Sequence, residues 1–295
     1  MAPLGLSSAL ARITIRPDLG AGLTSFDVMH RNAWTPVFRP VDPETGHPFS
    51  LSNILLVPFS GRVSGGGFAF DGAFHAVEPN MPTERYPIHG SAFSAAWTVV
   101  ETSDHAVTLS LEGTGPGPFH YDALMTYRLD GATLVMELVV TNKAALALPY
   151  GLGFHPWFVR DHDTRLAARA DRVWLERDDH LPRTVEPVSR HPDLDFMRGS
   201  ELPRFWVNNW FDGWDRKARI EWPDRGLAVL VETSDLLDQY VLFSPSGDAD
   251  FFCFEPVSHP VDAFNLPEGP VSHGMVKLEP GERIQACARF IAQPL

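Results

Sequence analysis

The chain has 295 residues, 44% of them hydrophobic and 21% charged, a balance that suits a globular protein with a large core and excludes a disordered one. Its net charge of −13 argues against general binding to nucleic acid or anionic membrane, and mildly against a polyanionic substrate unless a local basic pocket overrides it. The only cysteines, Cys253 and Cys287, exclude a disulfide framework, argue against a Cys-based metal site, and read as small buried hydrophobes within strand-like runs.

Residues 1–10 lack the basic stretch and long apolar run of a signal peptide. No apolar run approaches the ~20 residues of a membrane helix. A cytoplasmic location is the expectation. The first strand candidates are residues 11–15, 52–57 and 95–101. Val107, Leu109 and Leu111 then alternate with Thr108 and Ser110, and residues 121–129 follow in the same style. Leu134, Met136, Leu138 and Val140 alternate with Val135, Glu137 and Val139. Residues 178–204 are polar and Pro-rich; strand-like sequence resumes beyond them with unchanged character, so they read as a long loop over one sheet rather than a linker. Residues 227–232 and 239–243 are further candidates, and Ile284, Ala286, Ala288 and Phe290 close the series. A period of two marks half-buried strands. The 26 prolines and 23 glycines punctuate these runs, and no long stretch keeps a helical period. The fold class is therefore all-β, a sandwich or barrel, with residues 1–295 forming a single domain.

Four segments join reactive groups to apolar or aromatic surroundings. Arg62 follows Pro58-Phe59-Ser60-Gly61 and precedes the glycines 65–67, where its fork of donors could fix a ligand. His89 precedes Gly90 in a loop-like setting. His155 lies in Gly153-Phe154-His155-Pro156-Trp157-Phe158, among aromatic residues that can tune its protonation. Glu255 ends the apolar run Phe251-Phe252-Cys253-Phe254, a costly place for a carboxylate without a task or a partner. Burial there would raise its pKa and strengthen it as a base. Each group also has a structural reading, as a surface turn, a packed core histidine or a salt-bridge partner.

Taken together, and in this order along the chain, the motifs resemble the aldose 1-epimerase (galactose mutarotase) family. Phe154-His155-Pro156-Trp157-Phe158 is similar to its catalytic-histidine motif. Cys253-Phe254-Glu255-Pro256, with the downstream Asp262-Ala263-Phe264-Asn265, is similar to its catalytic-glutamate motif. The resemblance implies a large antiparallel β-sandwich with the sugar site on a concave sheet face. It implies a small-molecule sugar as partner, no cofactor and no metal. Glu255 would be the base on the anomeric hydroxyl and His155 the acid at the ring oxygen. Arg62 and His89 would hold hydroxyls, and Trp157 would pack on the sugar's C–H faces. A substrate-binding aspartate is expected near 208–215, with Asp212 the best match and Asp215 the alternative. Gly61 before the arginine, and Ser91-Ala92-Phe93 after His89-Gly90, depart from galactose mutarotases and suggest a divergent bacterial branch.

Two alternatives stay open. One is a hexose-6-phosphate 1-epimerase, with Arg62 and Arg85 supplying positive charge. The other is a non-catalytic carbohydrate-binding protein on the same fold. A metal-dependent barrel enzyme has less support, because no His-x-His with a following carboxylate stands at metal-site spacing.

Overall fold

The strongest sequence signal, apolar residues at every second position, sorts the strands into two large antiparallel sheets with one core between them. A computed structural model describes residues 2–295. The larger sheet has eleven strands. From one edge it runs through Leu4–Ser7, Ala11–Arg16, Gly22–His30, Asn53–Leu56, Gly153–Val159, Phe251–Val257, Gln239–Ser244, Val207–Asp212, Arg172–Glu176 and Pro182–Pro187, with Ala33–Pro36 paired to Gly22–His30. The second sheet runs through Ser200–Glu201, Arg165–Ala168, Lys217–Trp222, Leu227–Thr233, Arg283–Pro294, Thr133–Asn142, His120–Asp130, Ala106–Thr114 and Thr98–Thr102. Helical structure among the described residues is confined to five 3-10 turns. No helix is long and apolar enough to cross a membrane.

The alternation decides which side chains enter the core. Met136, Leu138, Val140 and Phe290 of the second sheet share one hydrophobic cluster with Phe154, Phe158, Phe252 and Phe254 of the first. The intervening residues of the first sheet turn to its other face. There Ile54, Trp157, Trp174, Trp210, Val241, Cys253 and Val257 form a second, smaller cluster. A sheet buried on both faces leaves room for polar groups only where a cavity or a partner receives them.

The expected strands are present, most within one or two residues of their predicted ends. Strand Gly22–His30 was not expected: it is buried on both faces at most positions, so its sequence carries no alternation. The expected loop at 178–204 contains strand Pro182–Pro187, which pairs with Arg172–Glu176 at the sheet edge. This strand is largely exposed and has a proline at each end, as an edge strand tolerates. Of the two cysteines, Cys253 is buried as expected, whereas Cys287 is only half-buried.

Phe38 joins the layers. It is fully buried, with edge-on contacts to Phe26 and Phe158 of the first sheet at 5.2 and 5.0 Å and to Phe290 of the second at 5.2 Å. Phe38→Ala is expected to destabilise the fold by about 3–5 kcal/mol in urea denaturation. A loss below about 1 kcal/mol would mean that the two sheets do not depend on this contact.

Candidate active site

Strand register builds the centre of the site. Gly153 pairs with Val257 and Trp157 with Cys253, so the same offset sets His155 opposite Glu255 on the outer face of the first sheet. Glu255 in turn pairs with Val241, Val241 with Trp210, and Trp210 with Trp174. A single row across the sheet therefore reads His155, Glu255, Val241, Trp210, Trp174. Both titratable members are buried, at 8% and 3% exposure. His155 Nε2 lies 3.3 Å from Glu255 Oε1. The imidazole stacks on Trp157 with ring centres 3.9 Å apart. Its Nδ1 is buried without a hydrogen-bond partner.

Burial controls the protonation of the pair. Desolvation pushes His155 down to about 3, with the positive charge of Arg39 acting in the same direction. Desolvation pushes the Glu255 carboxyl well above the usual range, with Arg62 opposing it. Neither group favours its charged form alone. Between them they can hold one proton, either on the carboxyl or on the imidazole of an ion pair.

Loops on the same side complete the wall. His89 sits edge-on to His155 with ring centres 5.5 Å apart. The backbone N–H of Gly61 donates to His89 Nδ1 at 3.1 Å, so the neutral ring carries its proton on Nε2. Burial, His155 and Arg62 all push His89 well below the ordinary imidazole value. Arg62 donates from Nε to Glu84 at 3.0 Å and forms an ion pair with it at 2.9 Å. Behind it, the Arg62 carbonyl accepts from Asp262 N–H at 3.0 Å. Asp262 also accepts from the Ser64 N–H and hydroxyl at 2.8 and 2.7 Å and from Asn265 at 3.0 Å. Asp262 and Asn265 thus brace the arginine loop. On the neighbouring turn, Ser60 N–H donates to the buried His259 Nε2 at 3.2 Å.

These groups enclose a cavity of about 420 Å³. His155, Glu255, Arg62, His89 and Trp157 all line it, so five of the six expected site residues come together. Trp157 gives one ring face to His155 rather than leaving both free. Asp212 does not line this cavity. It accepts from Arg172 Nε at 2.7 Å and from Trp174 Nε1 at 2.8 Å and borders a separate depression. It stands on the cavity side of its strand, but one row beyond Trp210. Asp215 is exposed in a turn, accepting from Lys217 N–H at 3.2 Å. Arg85 does not line the cavity either; its guanidinium lies over the Tyr86 ring, 5.2 Å from the centroid.

Several lining residues were not anticipated: Arg39, Phe49, Glu84, His180, Trp206, Asn208, Phe243 and Phe251. Asn208 and Trp206 both donate to Glu176, each at 2.7 Å, and His180 Nδ1 lies 2.9 Å from the same carboxylate. The period of two held the signal for Asn208. It shares a face with Trp210 and Asp212, and its end of the strand, rather than that of Asp212, reaches the cavity. The ligand atoms of His155, Cys253 and Glu255 lie within 4.8 Å of one another, the spacing of a possible metal site. Burial raises both the thiol and the carboxyl, which favours their protonated, non-ligating forms.

Comparison with known proteins gives a consistent picture. The model of the family described as aldose 1-epimerase matches residues 10–290. The uncharacterized protein YphB of Escherichia coli K12 is 38% identical over 255 residues, covering 84% of this chain and 86% of the relative. A crystal structure of a candidate aldose 1-epimerase from Escherichia coli K12 is 34% identical, covers 99% of both chains and superposes with a TM-score of 0.91. A galactose mutarotase-like protein from Clostridium acetobutylicum shares the fold, with a TM-score of 0.87, 18% identity and coverage of 99% and 95%.

Gly90 fixes the approach of His89. Its φ is +72°, and an added Cβ would lie 1.9 Å from the Val57 carbonyl oxygen. Gly90→Ala is expected to cost more than about 2 kcal/mol, from left-handed strain plus the backbone clash. Gly46, which has open space around it, serves as control: Gly46→Ala should stay within about 0.5 kcal/mol. Equal urea midpoints for the two variants would contradict this account.

Proposed function

This chain belongs to the aldose 1-epimerase family, and on that premise we propose that it interconverts the α and β anomers of an aldose by opening and reclosing the sugar ring. The anomeric hydroxyl oxygen and the ring oxygen are bonded to the same carbon. A base for one and an acid for the other must therefore be adjacent. The 3.3 Å separation of His155 Nε2 and Glu255 Oε1 on one cavity wall is the observation that carries the reading.

In the ion-pair form, the Glu255 carboxylate takes the proton of the anomeric hydroxyl while His155 delivers one to the ring oxygen. The bond between the anomeric carbon and the ring oxygen breaks, and an aldehyde forms. Rotation about the C1–C2 bond presents the other carbonyl face. On reclosure the ring hydroxyl returns its proton to His155 and Glu255 returns the other to the new anomeric oxygen. The pair starts and ends with one proton. Its own residues complete this proton cycle. The Nε2–H of His89 and the Glu84-held Arg62 are placed to donate to sugar hydroxyls and to developing charge. The whole chain acts as one unit in this reading, supported by a core that draws on both large sheets.

Polarimetry across a panel of aldoses tests the activity. Glu255→Gln and His155→Asn are each expected to lower the rate by about 10²–10⁴ with the fold intact. A wild-type rate no faster than buffer on every sugar would sink the enzyme reading in favour of a carbohydrate-binding protein.

The pH profile follows from the shared proton. A second proton on the pair blocks Glu255 as base, and burial moves that event down towards about 3. Loss of the last proton leaves His155 nothing to donate, and burial of Glu255 moves that event up from the usual carboxylate range. Buffer-corrected kcat/KM should therefore show no acid limb near about 6.5, the ordinary imidazole value. A limb there would show His155 titrating as a solvated side chain.

A further inference from the structure

One cation on the cavity wall is left unneutralised by the fold. Arg62 has Glu84, and Arg172 has Asp212. The Arg39 side chain has neither a carboxylate nor a strong hydrogen bond among the described residues, although its backbone is held by Trp157 and Ser52. Its Nε is buried without a partner, and its guanidinium makes one long hydrogen bond, from Nη2 to the Leu51 carbonyl at 3.4 Å. Its guanidinium rests over Phe251 at 4.4 Å and Trp157 at 5.8 Å from the ring centroids. Burial disfavours its charge, and Asp250 opposes this without forming an ion pair with it. A partly desolvated guanidinium without a partner is costly unless an anion supplies the missing bonds.

We propose that Arg39 is a specificity-determining residue that selects aldoses carrying an anionic group on the exocyclic carbon next to the ring oxygen, a carboxylate or a phosphate. This rests on the proton roles assigned above. If His155 serves the ring oxygen, the substituent on the adjacent ring carbon lies on the His155 side of the sugar. Arg39 is on that side, packed over Trp157, whose ring stacks on His155. Its charge is felt at His155, whereas that of Arg62 is felt at Glu255. A planar fork with free N–H groups matches either anion through paired charge-assisted bonds. The cavity, at about 420 Å³, has room for a hexose with such a substituent. Neither arginine anticipated as a phosphate contact supplies this charge, because Arg62 is paired and Arg85 lies outside the cavity.

Equilibrium binding tests the inference without relying on turnover. Calorimetric titrations would compare glucose with glucuronate and glucose 6-phosphate, and galactose with galacturonate. At least one anionic sugar is expected to bind at least about tenfold more tightly than its neutral counterpart, with the advantage shrinking as salt rises. The two anion types distinguish a carboxylate-bearing from a phosphate-bearing substrate. Arg39→Met keeps an apolar stem over Phe251 and should reduce the preference to about threefold or less, while Arg39→Lys retains part of it. Equal binding of neutral and anionic sugars, no binding of any anion, or a preference that survives Arg39→Met overturns the inference. If Arg39→Met does not fold, the wild-type preference and its salt dependence still decide. Mutarotation of neutral sugars without any anion preference would remove only this inference; preferential binding without mutarotation would remove only the catalytic reading.

Discussion

Two oppositely titrating side chains face each other in a setting that solvates neither of them well. His155 and Glu255 face each other because their strands pair in one register, and a one-residue slip of either strand would turn its member of the pair towards the inter-sheet core. At 3.3 Å in a buried wall, the ion pair and the neutral pair differ only by the position of a proton. Desolvation favours the neutral pair, and mutual attraction favours the ion pair. A substrate whose two reacting oxygens share one carbon can engage both groups at once. The proposed chemistry asks for adjacency, and strand pairing supplies it.

The surrounding polar groups divide into those the fold satisfies and those it leaves open. Asp262, Asn265 and His259 spend their hydrogen bonds on the loop that carries Ser60 to Ser64. Glu84 holds Arg62, and the Gly61 amide fixes the tautomer of His89. These contacts are internal to the protein and set positions before any ligand arrives. By contrast, His155 Nδ1 and Arg39 Nε are buried without partners beside the cavity. Pre-organised neighbours with a few unspent groups are what a binding site requires.

Much of this was legible in the sequence, for reasons that also mark where legibility ends. Strand Thr133–Asn142 announced itself because one face meets a core and the other does not. Strand Gly22–His30 did not, because both its faces are largely buried. His155 and Glu255 stood out as reactive groups in apolar runs, and their motifs carried the family resemblance. The Asp262–Asn265 segment belongs to the glutamate motif in sequence, but its bracing role depends on a loop 198 residues away. Asp212 fits the expected spacing, yet the row it occupies is set by pairing with Arg172, a tertiary fact. Arg39 gave no local sign, since an arginine before Pro40 resembles a surface turn. Its burial depends on Trp157 and Phe251, which are distant in the chain.

Net charge and site charge pull in different directions here. A chain at −13 presents a repulsive field to anions in bulk solution. That field is screened over about 8–10 Å at ordinary ionic strength, so it acts mainly on the rate of approach. Inside the cavity the nearby dipoles and charges dominate, because low-dielectric walls weaken them less than bulk water does. The carboxylates in it and beside it are already committed: Glu84 to Arg62, Glu176 to Asn208 and Trp206, and Glu255 to His155. Arg39 is the cation left over. The sign that a bound ligand experiences is therefore set by which pairs the fold has closed, and the overall count of acidic residues does not predict it.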